Sequence, residues 1–253
     1  MNIFTLASGS KGNSTYININ DIPMLVDIGI SNTSLTNKLI SINVDIKDIK
    51  YLFITHTHKD HIQGLEVFLK RYNPIIISSK KIIKELIISH NISNYLVLED
   101  MLTLNNIDIT LLQASHDTID CIGFLLEYKD NSMVYITDTG YIHNKTLRKI
   151  ENKEHYFIES NYDINKLMNG TYPHYLKMRI LSDKGHLDNL ETARYLKKVI
   201  GPNTKNITLL HLSEENNCPS IAYENIISML EKTEYSPVVT IALQHEVSKG
   251  IKL

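Results

Sequence analysis

Cysteine is scarce: Cys121 and Cys218 are the only two in 253 residues. They are too few for a disulfide framework and form no CxxC pair, which fits a reducing compartment, the cytoplasm by default. Long apolar runs are also missing. Ile75-Ile76-Ile77 gives way at once to Ser78-Ser79-Lys80-Lys81, far short of the ~18 residues of a spanning helix, so no membrane role is expected. Met1 to Ser10 lacks a basic region and a sustained apolar core and does not read as a secretory signal. Neither sign of charge dominates: 26 Lys+Arg against 28 Asp+Glu leave a net charge of -2. No general basic field exists to hold nucleic acid, and any polyanion site must be local. There is no Gly/Pro/Ser linker, low-complexity tract or internal repeat, so residues 1–253 are expected to form a single domain.

What is present is an ordinary globular composition, 43% hydrophobic and 21% charged. Short apolar runs at Asn2 to Leu6, Thr15 to Ile19, Met24 to Val26, Tyr51 to Ile54 and Ile75 to Ile77 predict strands. Further strands are expected at Tyr95 to Leu98, Ile107 to Gln113, Ile122 to Tyr128 and Met133 to Ile136, with Asp130-Asn131 at a hairpin turn. The later ones fall at His155 to Ile158, Ile207 to Leu212 and Val238 to Leu243. Helical spacing marks Leu35 to Ile40, Ile62 to Leu69, Ile82 to Ile88, Asn189 to Val199 and Ile221 to Lys232. Together these predict an α/β protein of two mixed sheets with helices outside.

The densest chemical signal is Thr55-His56-Thr57-His58-Lys59-Asp60-His61, directly after the apolar run Tyr51 to Ile54. Residues two apart at a strand end project to the same side, so His56 and His58 reach one point. Asp60 and His61 fall in the turn into the next helix and face a second point nearby. Such donors suit borderline metals such as zinc, manganese or iron. His116, Asp138 and His211 each follow an apolar run; alone each reads as a satisfied core-edge residue, and together they complete a set for two metals.

These residues resemble the HxHxDH signature, later His, Asp and last His of the metallo-β-lactamase superfamily, over essentially the whole chain. The resemblance implies a four-layer αββα sandwich. It implies that His56, His58 and His116 hold one divalent ion, that Asp60, His61 and His211 hold another, and that Asp138 bridges them. Asp27 matches an early aspartate that buttresses the ligand loop without touching metal. Ser8 to Ser14, Glu159 to Asp163, Lys184 to Asn189 and His211 to Asn217 are similar to the YycJ (WalJ) type of bacterial protein. For that group the implied activity is metal-dependent 5′-to-3′ digestion of double-stranded DNA, with a hydroxide held between the metals as nucleophile.

By the same resemblance His186 is the general acid, Glu159 its orienting partner and Asp60 part of the catalytic set. A competing assignment makes His186 the last ligand and His211 structural; His211 is preferred because it ends an apolar run as the other ligands do. Candidate substrate contacts are Ser10 and Asn13 in the Gly-rich loop, Tyr172, Lys177 and Arg179 in the aromatic and cationic segment, and Asn217. The same segment, continued to Ile180, reads equally as a helix with Leu176 and Ile180 facing the core and its cations solvated. A small-molecule hydrolase of cyclic phosphodiesters, thioesters or lactones is the alternative activity, with an RNA-processing nuclease beside it. Redox members carry Glu where His58 stands. DNA is the expected substrate, and the sequence identifies no particular protein partner.

Overall fold

A computed structural model describes residues 1–252, which divide into two compact units. The first comprises Met1–Leu102, Thr118–Asp120 and Leu243–Leu253, the second Thr103–Asp117 and Cys121–Ala242.

The first unit carries β1 (Asn2–Ala7), β2 (Ser14–Ile19), β3 (Ile22–Val26), β4 (Tyr51–Phe53), β5 (Ile75–Ser78) and β6 (Tyr95–Val97) in that spatial order, with the short strand Ile251–Lys252 on the outer edge of β1. β1, β2 and β3 run antiparallel, whereas β3 to β6 are parallel. The antiparallel half needs only a tight turn: Asn20 and Asp21 both take positive φ, the geometry of a two-residue hairpin that Asn and Asp tolerate. The parallel half needs crossovers, supplied by α1 (Asn32–Ser41), α2 (Lys59–Ile62), α3 (Leu65–Arg71) and α4 (Lys80–His90). Ser31 and Ser79 cap α1 and α4 by accepting from Ser34 N and Ile82 N. The expected helix Ile62 to Leu69 is in fact two, parted at Gln63-Gly64, because Gly64 packs against the Ile30 carbonyl where a Cβ would sit 2.4 Å away.

The second unit's sheet has the order β13-β12-β11-β10-β9-β8-β7, with β7 (Met101–Leu104), β8 (Ile107–Gln113), β9 (Ile122–Tyr128), β10 (Asn131–Ile136), β11 (His155–Glu159), β12 (Asn206–Leu210) and β13 (Val238–Ile241). β8 to β10 form an antiparallel meander, and β10 to β13 are parallel. Lys129-Asp130 makes the β9–β10 turn, one residue earlier than the sequence suggests, because Asn131 already pairs with Tyr128. The helices are α5 (Asn144–Lys149), α6 (Ile164–Asn169), α7 (His174–Ile180), α8 (Asn189–Val199) and α9 (Pro219–Leu230). Leu196 of α8 and Ile226 of α9 bury against Val134, Ile158, Ile207 and Leu209 of the sheet. Each such side chain contributes about 1.5–3 kcal/mol by leaving water. α7 is different: none of its residues is buried, and Tyr175 and Met178 stand exposed. Neither Leu176 nor Ile180 enters the core, so the core-facing reading of this helix does not hold. Among the described residues no helix is long and apolar enough to cross a membrane.

At the start of β11, His155 is fully buried; its Nδ1 meets the Asn206 amide at 3.1 Å and its Nε2 has no hydrogen-bond partner. Burial pushes its pKa down to about 4. The unfolded chain takes up this proton near pH 6.5, so stability is complete above that pH and is lost as pH falls toward 4. Urea unfolding between pH 8 and 5 should therefore show a falling midpoint, and His155→Gln should flatten part of that fall; an unchanged slope would assign the acid lability elsewhere.

Candidate metal centre

In the first unit, the strand ends and the loop Gly9–Asn13 place the HxHxDH residues. Asp27 follows β3 with φ 59, an unusual left-handed backbone that turns its carboxylate back into the sheet. There Oδ1 accepts from Thr55 N at 2.8 Å, and Oδ2 accepts from Thr55 Oγ1 at 2.8 Å and faces His61 Nδ1 at 2.7 Å. Burial raises the Asp27 pKa, a push that the His61 ring and the Thr55 donors oppose. With Nδ1–H spent on Asp27, His61 turns a lone pair outward at Nε2, the tautomer a metal ligand needs.

The ligand loop's backbone is fixed as well. Asp60 O accepts from Asn13 N and His61 O from Ile28 N, both at 2.8 Å. Gly29 permits this closeness, since a Cβ there would lie 1.7 Å from Asp60 O. The His56 ring lies 4.7 Å from that of His58 and 4.0 Å from that of His61, so the motif does gather its imidazoles. Asn13 belongs to this cluster. Its buried amide lies 3.0 Å from His61 Nε2 and 3.4 Å from Asp60 Oδ2, while its Oδ1 accepts from Gly9 N. Ser10 is exposed on the same loop.

In the second unit, Asp138 follows β10 with φ 53 and His211 follows β12 with φ 55, repeating the left-handed turn at a strand end. Glu159 is the last residue of β11 and is completely buried. Its Oε1 meets His186 Nδ1 at 2.7 Å and His211 Nδ1 at 3.0 Å, and its Oε2 accepts from Thr139 N and Leu187 N. Burial pushes this carboxyl up, but the imidazoles of His186 and His211 outweigh it and hold the pKa below the usual carboxylate range. Asp138, Glu159, His186 and His211 each offer a donor atom within 4.8 Å of the others. His116 Nδ1 faces the Gly185 carbonyl at 3.0 Å, its Nε2 lies 3.8 Å from Asp138 Oδ1, and burial lowers its pKa and keeps the ring neutral.

The donor chemistry fits a divalent ion. Within each unit imidazoles and carboxylates gather, and His61 and His211 each have Nδ1 held by a buried carboxylate, the arrangement that fixes histidine ligands. The His186 side chain is 18% exposed and that of His211 is 3% exposed.

The double duty of Glu159 has no sequence signal, because one carboxylate oxygen meets two rings 27 and 52 positions away. Other candidates prove to have internal work. Asn217 donates to Ser160 O and Asn161 O and accepts from Asn189 Nδ2. Lys177 Nζ donates to Met168 O and Gly170 O at the end of α6, and Arg179 pairs with Asp117, the neighbour of His116. Tyr172 is half-buried; Tyr175 is the exposed aromatic of this segment.

Residues 25–211 match the family model described as the beta-lactamase superfamily domain. The chain is 35% identical over 240 residues to an exodeoxyribonuclease WalJ of Streptococcus pneumoniae, covering 90% of this chain and 88% of that one. It is 32% identical over 234 residues to an exodeoxyribonuclease YycJ of Bacillus anthracis, again covering 90% and 88%. A solved structure of the metallo-beta-lactamase fold protein YhfI from Bacillus subtilis superposes with a TM-score of 0.70 at 18% identity, over 98% of this chain and 99% of that chain. That likeness shows the fold.

Proposed function

From the premise that the chain belongs to the metallo-β-lactamase superfamily, in the family of the WalJ and YycJ exodeoxyribonucleases, we propose that it is a metal-dependent exonuclease that degrades double-stranded DNA from 5′ ends. The reading takes residues 1–253 as one catalytic domain acting in the cytoplasm. It enrols His56, His58, His116, Asp60, His61, Asp138 and His211 as ligands for two divalent ions, zinc, manganese or iron. Bound ions would supply an activated water and neutralise charge on the phosphoryl oxygens.

The observation that carries the proposal is the His186–Glu159 pair beside Asp138 and His211. Phosphodiester cleavage releases an alkoxide, which needs a proton. His186 is placed to give one: Glu159 holds Nδ1 and directs Nε2 away from the carboxylate. An ester or lactone hydrolase has less need of such a donor. Because Glu159 also holds His211, one buried carboxylate sets the positions of a proton donor and a proposed ligand together. Asp27 performs the second of these tasks for His61. Nucleic acid must be gripped locally, since the chain as a whole is slightly acidic.

Manganese-loaded protein incubated with linear duplex DNA labelled at one 3′ end should shorten it progressively while the 3′ label stays on the long product. Asp60→Ala alongside should be inactive, which excludes a contaminating nuclease. Absence of cleavage with manganese and with zinc would overturn the reading in favour of cyclic phosphodiesters or thioesters as substrates.

A further inference from the structure

The first unit holds a half-open cleft of about 750 Å³, remote from Asp27 and His56. It borders Pro23 at the start of β3 and Lys50 just before β4, whereas Asp27 and His56 follow the opposite ends of those strands. Its origin lies in the chain. α1 packs over the sheet but stops at Ser41; Ile42 and Asn43 then fold back, Ile42 N and Val44 N donating to Leu39 O and Asn43 adopting φ 59. The helix therefore ends before the last rows of the sheet, and the face formed by the pairs Phe4–Tyr16 and Asn2–Asn18 lines the cleft.

The floor of this cleft is ring and hydrocarbon. Tyr16 and Pro23 are buried, Phe4 and Val44 half-buried, and the Phe4 and Tyr16 rings lie 6.5 Å apart. The rim is polar and carries an excess of positive charge: exposed Lys47, Lys50 and Lys252 against Asp21 and Asp48. Asn2, Asn18 and Asn43 add amides that both donate and accept. A volume of this size suits a ligand of drug or nucleotide dimensions, and a mixed rim over an aromatic floor selects among ligands. A bare anion would use the lysines and leave the floor wet; an apolar ligand would strand three ammonium groups.

We propose that this cleft binds a nucleoside monophosphate, with its phosphate among Lys47, Lys50 and Lys252 and its base against the Phe4–Tyr16 floor. Asp21 and Asp48 are placed to accept from sugar hydroxyls or an exocyclic amine. The proposal does not depend on the nuclease reading, because no proposed metal ligand borders the cleft.

The test is titration calorimetry of the metal-loaded full chain with adenosine monophosphate, inorganic phosphate and adenosine as separate arms. Saturable binding of the nucleotide is expected, with phosphate and adenosine each at least about tenfold weaker. The double variant Lys47→Glu/Lys50→Glu alters exposed side chains and should keep its melting temperature and DNA cleavage while weakening nucleotide binding about tenfold or more. Equal affinity in that variant would place the nucleotide elsewhere and overturn the proposal. No binding by the parent protein, or phosphate binding as tightly as the nucleotide, would overturn it as well. Loss of DNA cleavage in the parent with nucleotide binding intact would count against the nuclease reading alone.

Discussion

His186→Ala should retain its metal ions and lose about 10²- to 10⁴-fold in turnover, the usual worth of a positioned proton donor. The variant leaves Glu159 still facing His211 Nδ1 and accepting from Thr139 N and Leu187 N, so its carboxylate is not stranded. Glu159→Gln should behave differently. An amide has a single acceptor oxygen, so it cannot serve both the two rings and the Thr139 and Leu187 N–H groups as the carboxylate does, and that variant should lose metal as well as turnover, by about 10- to 100-fold in affinity. Metal analysis after gel filtration, beside single-turnover cleavage of duplex DNA, separates the two. Retained activity in His186→Ala would remove His186 from the chemistry. Metal loss in His186→Ala equal to that in Glu159→Gln would make His186 the last ligand in place of His211.

The second large effect is expected at Asp27, which touches no substrate. Asp27→Ala leaves Thr55 N, Thr55 Oγ1 and His61 Nδ1 buried around an empty space, at a cost of about 3 kcal/mol or more. Asp27→Asn is the more informative change. Its carbonyl can still accept from Thr55, but its amide must face His61 Nδ1 and can only donate there. That drives the proton to Nε2 and removes the lone pair needed for ligation, while the fold survives. Asp27→Asn should therefore melt within a few degrees of the parent yet bind metal about 10- to 100-fold more weakly. Parent-like metal affinity in a folded Asp27→Asn protein would show that the buried carboxylate does not set the His61 tautomer.

The contrast between Asp27 and Glu159 also shows why the sequence was readable in one place and opaque in another. His56, His58, Asp60 and His61 lie within six residues after an apolar run, so local geometry alone gathers them. His116, Asp138 and His211 were visible because each closes a strand-like stretch. Glu159 was visible as the partner of one ring, but its second partner depends on β11 and β12 lying side by side, a tertiary fact without a local signal. Lys177 and Arg179 read as free cations for the same reason: Met168 O, Gly170 O and Asp117 meet them only after folding. α7 buries nothing and so writes no clear apolar stripe. The sheets are legible because most of their strands are densely apolar; β7, with alternate residues exposed, and the two-residue strand Ile251–Lys252 carry no such signal.

The strand-end backbone at Asp138 and His211 bears on how this protein responds to selection. A left-handed conformation costs an ordinary L-residue about 1–2 kcal/mol, which glycine avoids. A search for heat-resistant variants scored on folding alone would reward glycine at these positions, where the side chain is given up and the chain relaxes. A search scored on DNA cleavage would reject those same variants. Durability and chemistry thus select opposite residues at the mouths of β10 and β12, and a thermostable descendant bred without an activity screen would tend toward a well-folded, inert scaffold.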